Sequence, residues 1–382
     1  MCRHFTLLGG QSRIAWELAQ KALEENNEVH FVARRFPAEI KKYEIHNHRV
    51  FQWPKFIGGW ARFRSFASRS SRKAQKLATA HSVIHGFGDS YQQDIITLGN
   101  VDWNYAKLIP GRRPDQTAVH VKTKSFLDPT LRFLVSVSEQ QGKEVLDLLP
   151  EFDQSKMRVI YPGVDVFRFQ KYSRESVRAR LSEKLGISRD AKWLVFAAGG
   201  DFEKRNIVTL GKALLMLKNR SDWKMIFIGG QESEIPWPRE LKDRSYFLGR
   251  LDDIGKVLPG CDMMVYPAWY DEFAMVCLES MASGLPLVVS RTVGASEVIS
   301  ATNKEVGILD NPSDAIKLAQ LIENLLSNDS LRQRISDENR KIALGFSWDI
   351  IYRKYKTLYE EVAATRGESG KRINSKGARG AH

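Results

Sequence analysis

Two carboxylates flank what the residue pattern predicts to be the start of a helix, in the stretch YDEFAMVCLES. Asp271 follows an apolar run that ends near Tyr266, and Glu279 lies where the pattern has turned helical. A helix that begins around Ala274 exposes the unpaired backbone amides of its first turn, which suit a diphosphate. Glu279 can then accept hydrogen bonds from ribose hydroxyls, and Asp271 can hold hydroxyls of a transferred sugar. The alternative interpretation is an aspartate N-cap followed by an ordinary surface glutamate.

The apolar pattern predicts the elements that position these carboxylates. Short β-like runs alternate with segments whose apolar residues recur every three or four positions, which is typical of a parallel sheet covered by helices. Strands are predicted at 4–8, 28–33, 81–84, 95–98, 133–137, 193–198, 225–229, 262–266 and 286–290. Helices are predicted after Gly10, at 60–77, at 207–217, at 313–326, at 329–344 and from 348 to about 364.

The alternation pauses near Pro162 and Gly163 and then restarts, which predicts two domains. The expected fold is α/β, with two doubly wound, Rossmann-like domains, 1–162 and 163–347, facing each other across a cleft. A helix over 348–365 follows, and the basic, Gly- and Ser-containing tail over 366–382 is predicted to be disordered. Ligands of such sheets bind beyond the carboxyl ends of the strands, where glycine turns open helices. Gly9-Gly10 and Gly199-Gly200 are such turns, although each also reads as a plain turn.

The stretch over 266–290 resembles the donor-site motif of retaining glycosyltransferases of family 4, which have the GT-B fold. That motif reads roughly Glu-Gly-Phe-Gly-hydrophobic-Val-x-hydrophobic-Glu-Ala-Met-Ala-x-Gly-x-Pro-Val. Asp271 stands where the family has its first glutamate, and Glu272 and Ala274 replace the two glycines beside Phe273. The matching residues are Phe273, Met275, Val276, Leu278, Glu279, Met281, Ala282, Gly284, Pro286 and Leu287.

The resemblance extends to about residue 364 and implies a role for each domain. The N-terminal domain would serve the acceptor, the C-terminal domain would bind the nucleotide-sugar, and the last helix would return to the N-terminal domain. The loop GGDFEKRN resembles the one whose basic pair neutralises the donor diphosphate, which here is Lys204 and Arg205. A solvated surface pair is the alternative. Arg13, after Gly9-Gly10, would approach the same phosphate or be an ordinary first-turn surface residue.

Site residues carried over from the resemblance fall into two groups. Asp102 aligns near a family histidine that touches the transferred sugar, and Arg250 and Leu251 fall in the segment that recognises the base. The implied catalytic residues are Asp102, Lys204, Arg205 and Asp271. The implied donor-binding residues are Gly9, Gly10, Arg13, Gly199, Gly200, Lys204, Arg205, Arg250, Leu251, Phe273, Ala274, Met275, Val276 and Glu279.

The mechanism that the resemblance implies is hexose transfer with retention of anomeric configuration. Cations and helix amides stabilise the departing nucleoside diphosphate as its charge develops. The family works without a metal, and the sequence contains no Asp-x-Asp motif of the metal-using glycosyltransferases. No cofactor is expected, because the nucleotide-sugar, a UDP- or GDP-sugar, is a substrate. Lipopolysaccharide-core glucosyltransferases and related mannosyltransferases are similar members, which implies a lipid-linked or lipopolysaccharide-type acceptor in the cell envelope.

Most of the net charge of +13 lies in two segments. The tail from 366 carries five basic residues against Glu368, and the segment from 55 to 76 has no acidic residue. The basic residues of that second segment are Lys55, Arg62, Arg64, Arg69, Arg72, Lys73 and Lys76. Because the charge is concentrated in these two segments, we expect it to serve a function of those segments and not of the whole chain.

Helical spacing over 60–77 puts Trp60, Phe63, Ala67, Ala74 and Leu77 on one side, with most of the basic residues opposite. A basic amphipathic helix with aromatics suits an anionic membrane surface, where each basic residue adds about 1 kcal/mol. The alternative is a helix that buries its aromatics in the first domain and exposes its charges to water. The residues predicted to meet the membrane or acceptor are Trp60, Arg62, Arg64, Arg69, Arg72 and Lys73.

Composition narrows the setting and the competing classes. Three cysteines without metal-ligand spacing suggest a reduced, cytosolic environment. Neither a signal peptide nor an apolar stretch of about 20 residues is recognisable, so the protein is expected in the cytoplasm, peripheral on the inner face of the plasma membrane. A non-catalytic nucleotide-sugar binder is one alternative, and a basic nucleic-acid-binding protein, whose affinity would depend steeply on salt, is another.

Overall fold

The computed structural model describes residues 1, 5, 10–37, 40, 42–53, 56, 58–99, 108–109 and 111–377, with the backbone alone at 367–377. The strand predicted over 4–8 falls mostly outside the described residues, as do Gly9, Lys55 and Asp102. Contacts divide the chain into two compact units. Unit 1 contains Met1–Lys107, Gly111–Tyr161 and Trp348–His382, and unit 2 contains Leu108–Pro110 and Pro162–Ser347.

Unit 1 is built from short parallel strands and helices. Among its described residues, β1 pairs with β2, and β3 to β6 form a four-stranded parallel sheet in that order. The strands are β1 (Val29–Ala33), β2 (Ile45–Arg49), β3 (His85–Gly86), β4 (Ile95–Thr97), β5 (Phe133–Ser136) and β6 (Met157–Val159). The helices are α1 (Gly10–Glu24), α2 (Gly59–Leu77), α3 (Gln116–Phe126) and α4 (Glu139–Leu148).

Unit 2 is a six-stranded parallel sheet with helices around it. The strand order is β12-β11-β10-β7-β8-β9. The strands are β7 (Lys192–Ala197), β8 (Trp223–Ile228), β9 (Ser245–Phe247), β10 (Met263–Tyr266), β11 (Leu287–Ser290) and β12 (Ile308–Leu309). The helices are α5 (Val166–Gln170), α6 (Arg174–Leu185), α7 (Ile207–Met216), α8 (Met275–Ala282), α9 (Ala301–Gly307), α10 (Ala315–Ser327) and α11 (Asp329–Leu344).

The central strands of unit 2 are continuous apolar runs because both faces of the sheet are covered. WKMIFI in β8 and MMVY in β10 are almost wholly buried. The large, fully buried side chains of this core include Trp193, Phe196, Trp223 and Phe227. This core holds β7 and β10 side by side, so that the loops after their carboxyl ends are neighbours.

The last helix, α12 (Trp348–Gly377), packs within unit 1 against α1. Lys21 pairs with Asp349 at 2.8 Å, and Lys356 pairs with Glu25 at 2.9 Å. The helix continues to Gly377, beyond the predicted end near residue 364. The prediction of disorder from residue 366 is therefore not met over 366–377, where the backbone is helical, and 378–382 lie outside the described residues.

Most predicted elements occur within a few residues of their predicted bounds, and the GT-B expectation of parallel sheets covered by helices is confirmed. The strand predicted at 81–84 is displaced to β3, because residue 81 lies in a turn and the Ile84 amide donates to the Asp94 carboxylate instead of to a strand carbonyl. Four strands, β2, β6, β9 and β12, had no prediction. Of these, β2 carries the polar sequence IHNHR, which lacks an apolar run.

A buried amide network fastens the start of β11. Asn303 in α9 donates to the Leu287 carbonyl at 2.7 Å and accepts from the Leu287 amide at 2.9 Å. Asn339 in α11 donates to the Asn303 side-chain oxygen at 3.0 Å and to the Leu285 carbonyl at 2.9 Å. Because both asparagines are fully buried, each lost partner would leave an unsatisfied polar group.

Asn303→Ala should lower the free energy of unfolding by about 2 kcal/mol, because it orphans the backbone groups of Leu287 and the amide of Asn339. Urea denaturation of the protein, followed by tryptophan fluorescence, measures the loss of unfolding free energy. Gln333→Ala is the control, since this exposed amide donates to Asp337 on the protein surface and its loss should change stability by less than about 0.5 kcal/mol. Equal losses in the two variants would contradict the role of the network.

Candidate donor-binding site

The loops after β7 and β10 bring the predicted cations and carboxylates of unit 2 together. The first loop, over 198–206, contains Gly199 and Gly200 and ends at α7; the second, over 267–274, leads into α8. The two loops are bonded directly. Trp269 donates its amide to the Lys204 carbonyl at 3.0 Å, and the Asn206 side chain donates to the Pro267 carbonyl at 3.0 Å.

Three non-glycine residues in these loops have left-handed backbones. The φ angles are 52° at Asp201, 56° at Asn206 and 64° at Ala274. Asparagine and aspartate tolerate this region better than other residues, whereas alanine there costs about 1 kcal/mol relative to glycine. Ala274 occupies a position where the resembled family has glycine, and this backbone geometry explains the family's preference. Such strain concentrates at functional sites when surrounding contacts hold it in place.

Asp271 is buried and both of its carboxylate oxygens have partners in unit 2. Oδ1 accepts from the amides of Phe273 at 3.2 Å and Ala274 at 2.8 Å. Oδ2 accepts from the Tyr266 hydroxyl at 2.9 Å and lies 3.0 Å from an Arg205 guanidinium nitrogen. Asp271 therefore shapes the turn before α8, much as the N-cap alternative supposes, and also pairs with a predicted phosphate-binding cation.

Arg205, Tyr266 and Asp271 form a closed hydrogen-bonded triangle. Arg205 Nε donates to the Tyr266 hydroxyl at 2.6 Å, and that hydroxyl donates to Asp271. Burial raises the pKa of Asp271, but the charges of Arg205 and Lys204 and the hydrogen bonds outweigh it, so the pKa lies below its usual 3.8. Burial also raises the pKa of Tyr266 well above its usual range. The triangle thus contains one carboxylate, one cation and one neutral phenol.

Lys204 and Glu272 form a second charged pair beside the triangle. The Lys204 ammonium lies 3.2 Å from Glu272 Oε2 and 5.4 Å from the centre of the Tyr270 ring. The Lys204 side chain is 6% exposed and that of Glu272 is 14% exposed. Each cation of the first loop therefore has a carboxylate partner in the second loop: Arg205 pairs with Asp271 within the triangle, and Lys204 pairs with Glu272 outside it.

Helix α8 contributes its N-terminus and Glu279 to the site. Four amides were predicted to bind a diphosphate, and two of them, those of Phe273 and Ala274, donate to Asp271 instead. The amides of Met275 and Val276 are the first in the helix and have no carbonyl partner within it. Glu279 is half-buried on the same helix. The N-terminus of α8 therefore offers an anion two of the four predicted amides, those of Met275 and Val276.

The remaining predicted donor residues have simpler surroundings. In unit 2, Arg250 is exposed and Leu251 half-buried in the loop after β9. In unit 1, Gly10 begins α1, and Arg13 pairs with Glu17 at 2.5 Å one turn later. That contact is the one expected of a first-turn surface residue, the alternative raised for Arg13. Gly9 and Asp102 lie outside the described residues, so their predicted roles stay predictions.

Unit 1 carries a patch of exposed aromatic side chains with arginines stacked on them, here called the basic aromatic patch. The Arg64 guanidinium lies 4.2 Å from the Trp60 ring centre, and that of Arg69 lies 5.3 Å from the Phe51 ring centre. Trp60 is 54% exposed, so it does not share the buried side of α2 with Phe63, contrary to the helical-spacing prediction. The patch comprises Phe51, Trp53, Phe56, Trp60, Arg62, Arg64, Arg69, Arg72 and Lys73.

Sequence reasoning missed three contributors to the site in unit 2. Tyr266 was taken only as the end of a strand, yet its hydroxyl joins Arg205 to Asp271. Glu272 was taken as a glycine replacement, yet it pairs with Lys204. Asn206 bridges the two loops and a proline carbonyl near α10. A polar residue at the carboxyl end of a strand, as Tyr266 is, was the available signal.

Asp271→Asn should destabilise the protein by about 3 kcal/mol at neutral pH, because it leaves the Arg205 charge buried without its partner. Since the folded pKa of Asp271 is lowered, its contribution is complete above the unfolded pKa and is lost as pH falls through the folded one. The stability gap between wild type and variant should stay constant from about pH 5 to 8 and shrink below about pH 4.

Urea denaturation across this pH range measures the gap, with Asp310→Asn as the control. Asp310 pairs with Arg291, but both side chains are largely exposed, at 73% and 66%. Surface pairs of this kind contribute little to stability. A loss at Asp271 no larger than at Asp310, or a gap that widens in acid, would contradict the assignment of a buried ion pair.

Comparison with known proteins finds similar sequences for this chain. Residues 177–342 match the family model described as glycosyl transferases group 1. The N-acetyl-alpha-D-glucosaminyl L-malate synthase of Bacillus anthracis is 23% identical over 379 residues, covering 93% of this chain and 94% of that protein. The resemblance that the sequence motifs indicate is therefore confirmed.

Solved structures agree with the fold. WaaG, a glycosyltransferase involved in lipopolysaccharide biosynthesis, superposes with a TM-score of 0.73 at 16% identity, covering 95% of this chain and 97% of its own. The Anabaena protein Alr3699/HepE, in complex with UDP, superposes with a TM-score of 0.70 at 15% identity, covering 94% of this chain and 98% of its own. The chain therefore resembles the group 1 glycosyltransferases over residues 177–342, and its fold is GT-B.

Proposed function

We propose that this protein is a retaining hexosyltransferase that moves a sugar from a nucleotide-sugar to a lipid-linked glycan such as the lipopolysaccharide core. The observation that carries the proposal is the convergence in unit 2 of two cations with the N-terminus of α8. Lys204 and Arg205 come from the loop after β7, and the Met275 and Val276 amides come from the helix after β10. Glu279 on the same helix supplies an acceptor for ribose hydroxyls.

The cations and amides would act on the leaving group. As the bond between sugar and diphosphate breaks, negative charge grows on the phosphate oxygens, and Lys204, Arg205 and the first-turn amides oppose it. Arg205 is held by Tyr266 and Asp271, so its guanidinium is oriented before the donor binds. Lys204 is a compact charge that can exchange Glu272 for a phosphate oxygen. Two fixed cations supply the charge that a metal supplies elsewhere, which supports a metal-independent reaction.

The adjacent carboxylates Asp271 and Glu272 would have different roles in binding the transferred sugar. The family motif aligns Asp271 with the residue that holds the transferred sugar, but its oxygens already bind two amides, a hydroxyl and a guanidinium. Glu272 is next along the chain, is partly exposed and contacts Lys204. Once a phosphate binds Lys204, the Glu272 carboxylate can accept hydrogen bonds from the sugar. Asp271 then acts as a positioning residue and Glu272 as the sugar-binding one.

The proposed class of donor is inferred from similar proteins, and the proposed class of acceptor is inferred from the surface of unit 1. The HepE structures contain UDP and UDP-glucose, which supports a UDP-sugar donor; a GDP-sugar is the other candidate. Arg250 and Leu251 would lie at the base. The basic aromatic patch supports docking on an anionic membrane, at the inner face of the plasma membrane, because exposed tryptophan and arginine favour the lipid interface. None of the described helices is long and apolar enough to cross a bilayer.

The test of the proposed activity is release of nucleoside diphosphate and transfer of labelled sugar from UDP- and GDP-sugars to an extracted lipid-linked acceptor. Lys204→Ala and Glu279→Ala should each lower kcat/KM at least a hundredfold, since they remove a charge and a ribose contact from the transition state. Lys212→Ala on α7, an exposed lysine, should retain full activity. NMR of the product's anomeric carbon tests retention.

Three outcomes would contradict the proposal. Nucleotide-sugar binding without turnover on any acceptor would favour the non-catalytic binder, and inverted product would exclude the retaining mechanism. Equal activity in Lys204→Ala and Lys212→Ala would place the diphosphate elsewhere.

Membrane docking is tested separately by sedimentation with vesicles of phosphatidylglycerol and phosphatidylcholine. Replacing Arg62, Arg64, Arg69 and Arg72 together by glutamine should weaken binding more than tenfold, because each basic residue contributes about 1 kcal/mol near an anionic surface. Binding by the wild type should also fall as salt rises.

The matched control removes four exposed charges of unit 2. The set is Lys218→Gln, Lys242→Gln, Lys317→Gln and Arg334→Gln. It carries the same net charge as the patch variant and should bind vesicles nearly as well as wild type. If the two sets behave alike, or if salt has no effect, the basic aromatic patch is not the docking surface.

A further inference from the structure

We propose that unit 1 contains a transition-metal site formed by Glu28, His30 and His46. His48 is its outer partner, a residue that hydrogen-bonds the ligand His30 without binding the ion itself. In the parallel pair of β1 and β2, His30 lies opposite His46, and His48 is two residues further along β2. Because alternate residues of a strand point to the same face, the three histidines share one face of the pair. Glu28 immediately precedes β1. None of these residues belongs to the donor-binding site.

The three ligand atoms already lie close together. Glu28 Oε1 is 2.8 Å from His30 Nε2 and 3.4 Å from His46 Nε2, and all three atoms lie within 4.8 Å of one another. A tetrahedral ion with bonds of about 2.1 Å requires ligand atoms about 3.4 Å apart. Small rotations of Glu28 and His46 reach that spacing, since these side chains are 69% and 60% exposed.

His48 supplies a second feature of a metal site. Its Nε2 lies 2.9 Å from His30 Nδ1, and the two rings are stacked within 3° of parallel. Histidines that bind metals usually donate their other ring N–H to a neighbouring acceptor, which fixes the ring and the tautomer. With His30 Nδ1–H donating to His48, the lone pair of His30 Nε2 faces Glu28 and His46. The hydrogen bond is therefore in the position that metal binding by His30 requires.

The donor set selects the class of ion. Two imidazole nitrogens and one carboxylate oxygen suit Zn²⁺, and also Co²⁺, Ni²⁺ or Cu²⁺, whereas Mg²⁺ and Ca²⁺ prefer oxygen ligands alone. Three protein ligands leave a fourth position for water or another ligand. Bound there, the ion would cross-link the start of β1 to the start of β2. Its expected effect is to stabilise unit 1, since an ion that binds the folded state shifts the folding equilibrium.

The experiment uses the untagged, full-length protein freed of metal by chelator. Calorimetric titration with Zn²⁺ should show one site per chain, and Co²⁺ should develop the visible absorption of a tetrahedral complex. Zinc should also raise Tm. His30→Ala and His46→Ala should each weaken Zn²⁺ binding at least a hundredfold, and His48→Ala should weaken it about tenfold to a hundredfold, as expected for an outer partner.

The matched control is His120→Ala, which removes an exposed histidine from α3. It should bind Zn²⁺ as wild type does, and thermal unfolding without metal checks that every variant folds. Zinc binding that His46→Ala and His120→Ala change equally would overturn the proposal, as would absence of stoichiometric binding by the wild type. Loss of glycosyl transfer in an assay has no bearing on this result, because the readout is metal binding itself.

Discussion

The buried pairing of Arg205 with Asp271, joined by the Tyr266 hydroxyl, is the interaction on which the donor-site loops of unit 2 depend. It links the loop after β7 to the loop after β10 and directs Asp271 onto the amides that precede α8. The left-handed backbones of Asn206 and Ala274 lie at the ends of these two loops. Local strain is thus held by a charge pair whose loss would leave an unpaired ion in the protein interior.

This arrangement also explains why Lys204 and Arg205 are each paired with a carboxylate, Glu272 and Asp271 respectively. A phosphate-binding pair that faced only water would need to be ordered when the donor arrives. Here Arg205 is oriented by the triangle, and Lys204 is held by Glu272 and lies over Tyr270. In the proposed function, the diphosphate replaces Glu272 as the partner of Lys204, which frees a carboxylate beside the sugar. Positioning and sugar binding are then assigned to neighbouring residues, Asp271 and Glu272.

Sequence patterns predicted the parallel sheets, the two-unit division near residue 162 and the loops that carry Lys204, Arg205 and Asp271. They did so because buried parallel strands are continuous apolar runs and ligand loops follow their carboxyl ends. The pattern could not predict which amides Asp271 would engage or that Tyr266 would join the pair, because side-chain hydrogen bonds depend on tertiary distances. The polar strand β2 was missed for a related reason: its histidines face a common side that hydropathy does not detect.

In the proposed function, Lys204 binds the donor diphosphate in competition with Glu272, and calorimetric titration with UDP measures this competition. Lys204→Met should weaken UDP binding at least tenfold. Glu272→Gln should bind UDP as tightly as wild type or more tightly, because the competing carboxylate is removed, while its glycosyl transfer should fall. Unchanged affinity in Lys204→Met, or an equal loss of UDP affinity in both variants, would contradict it.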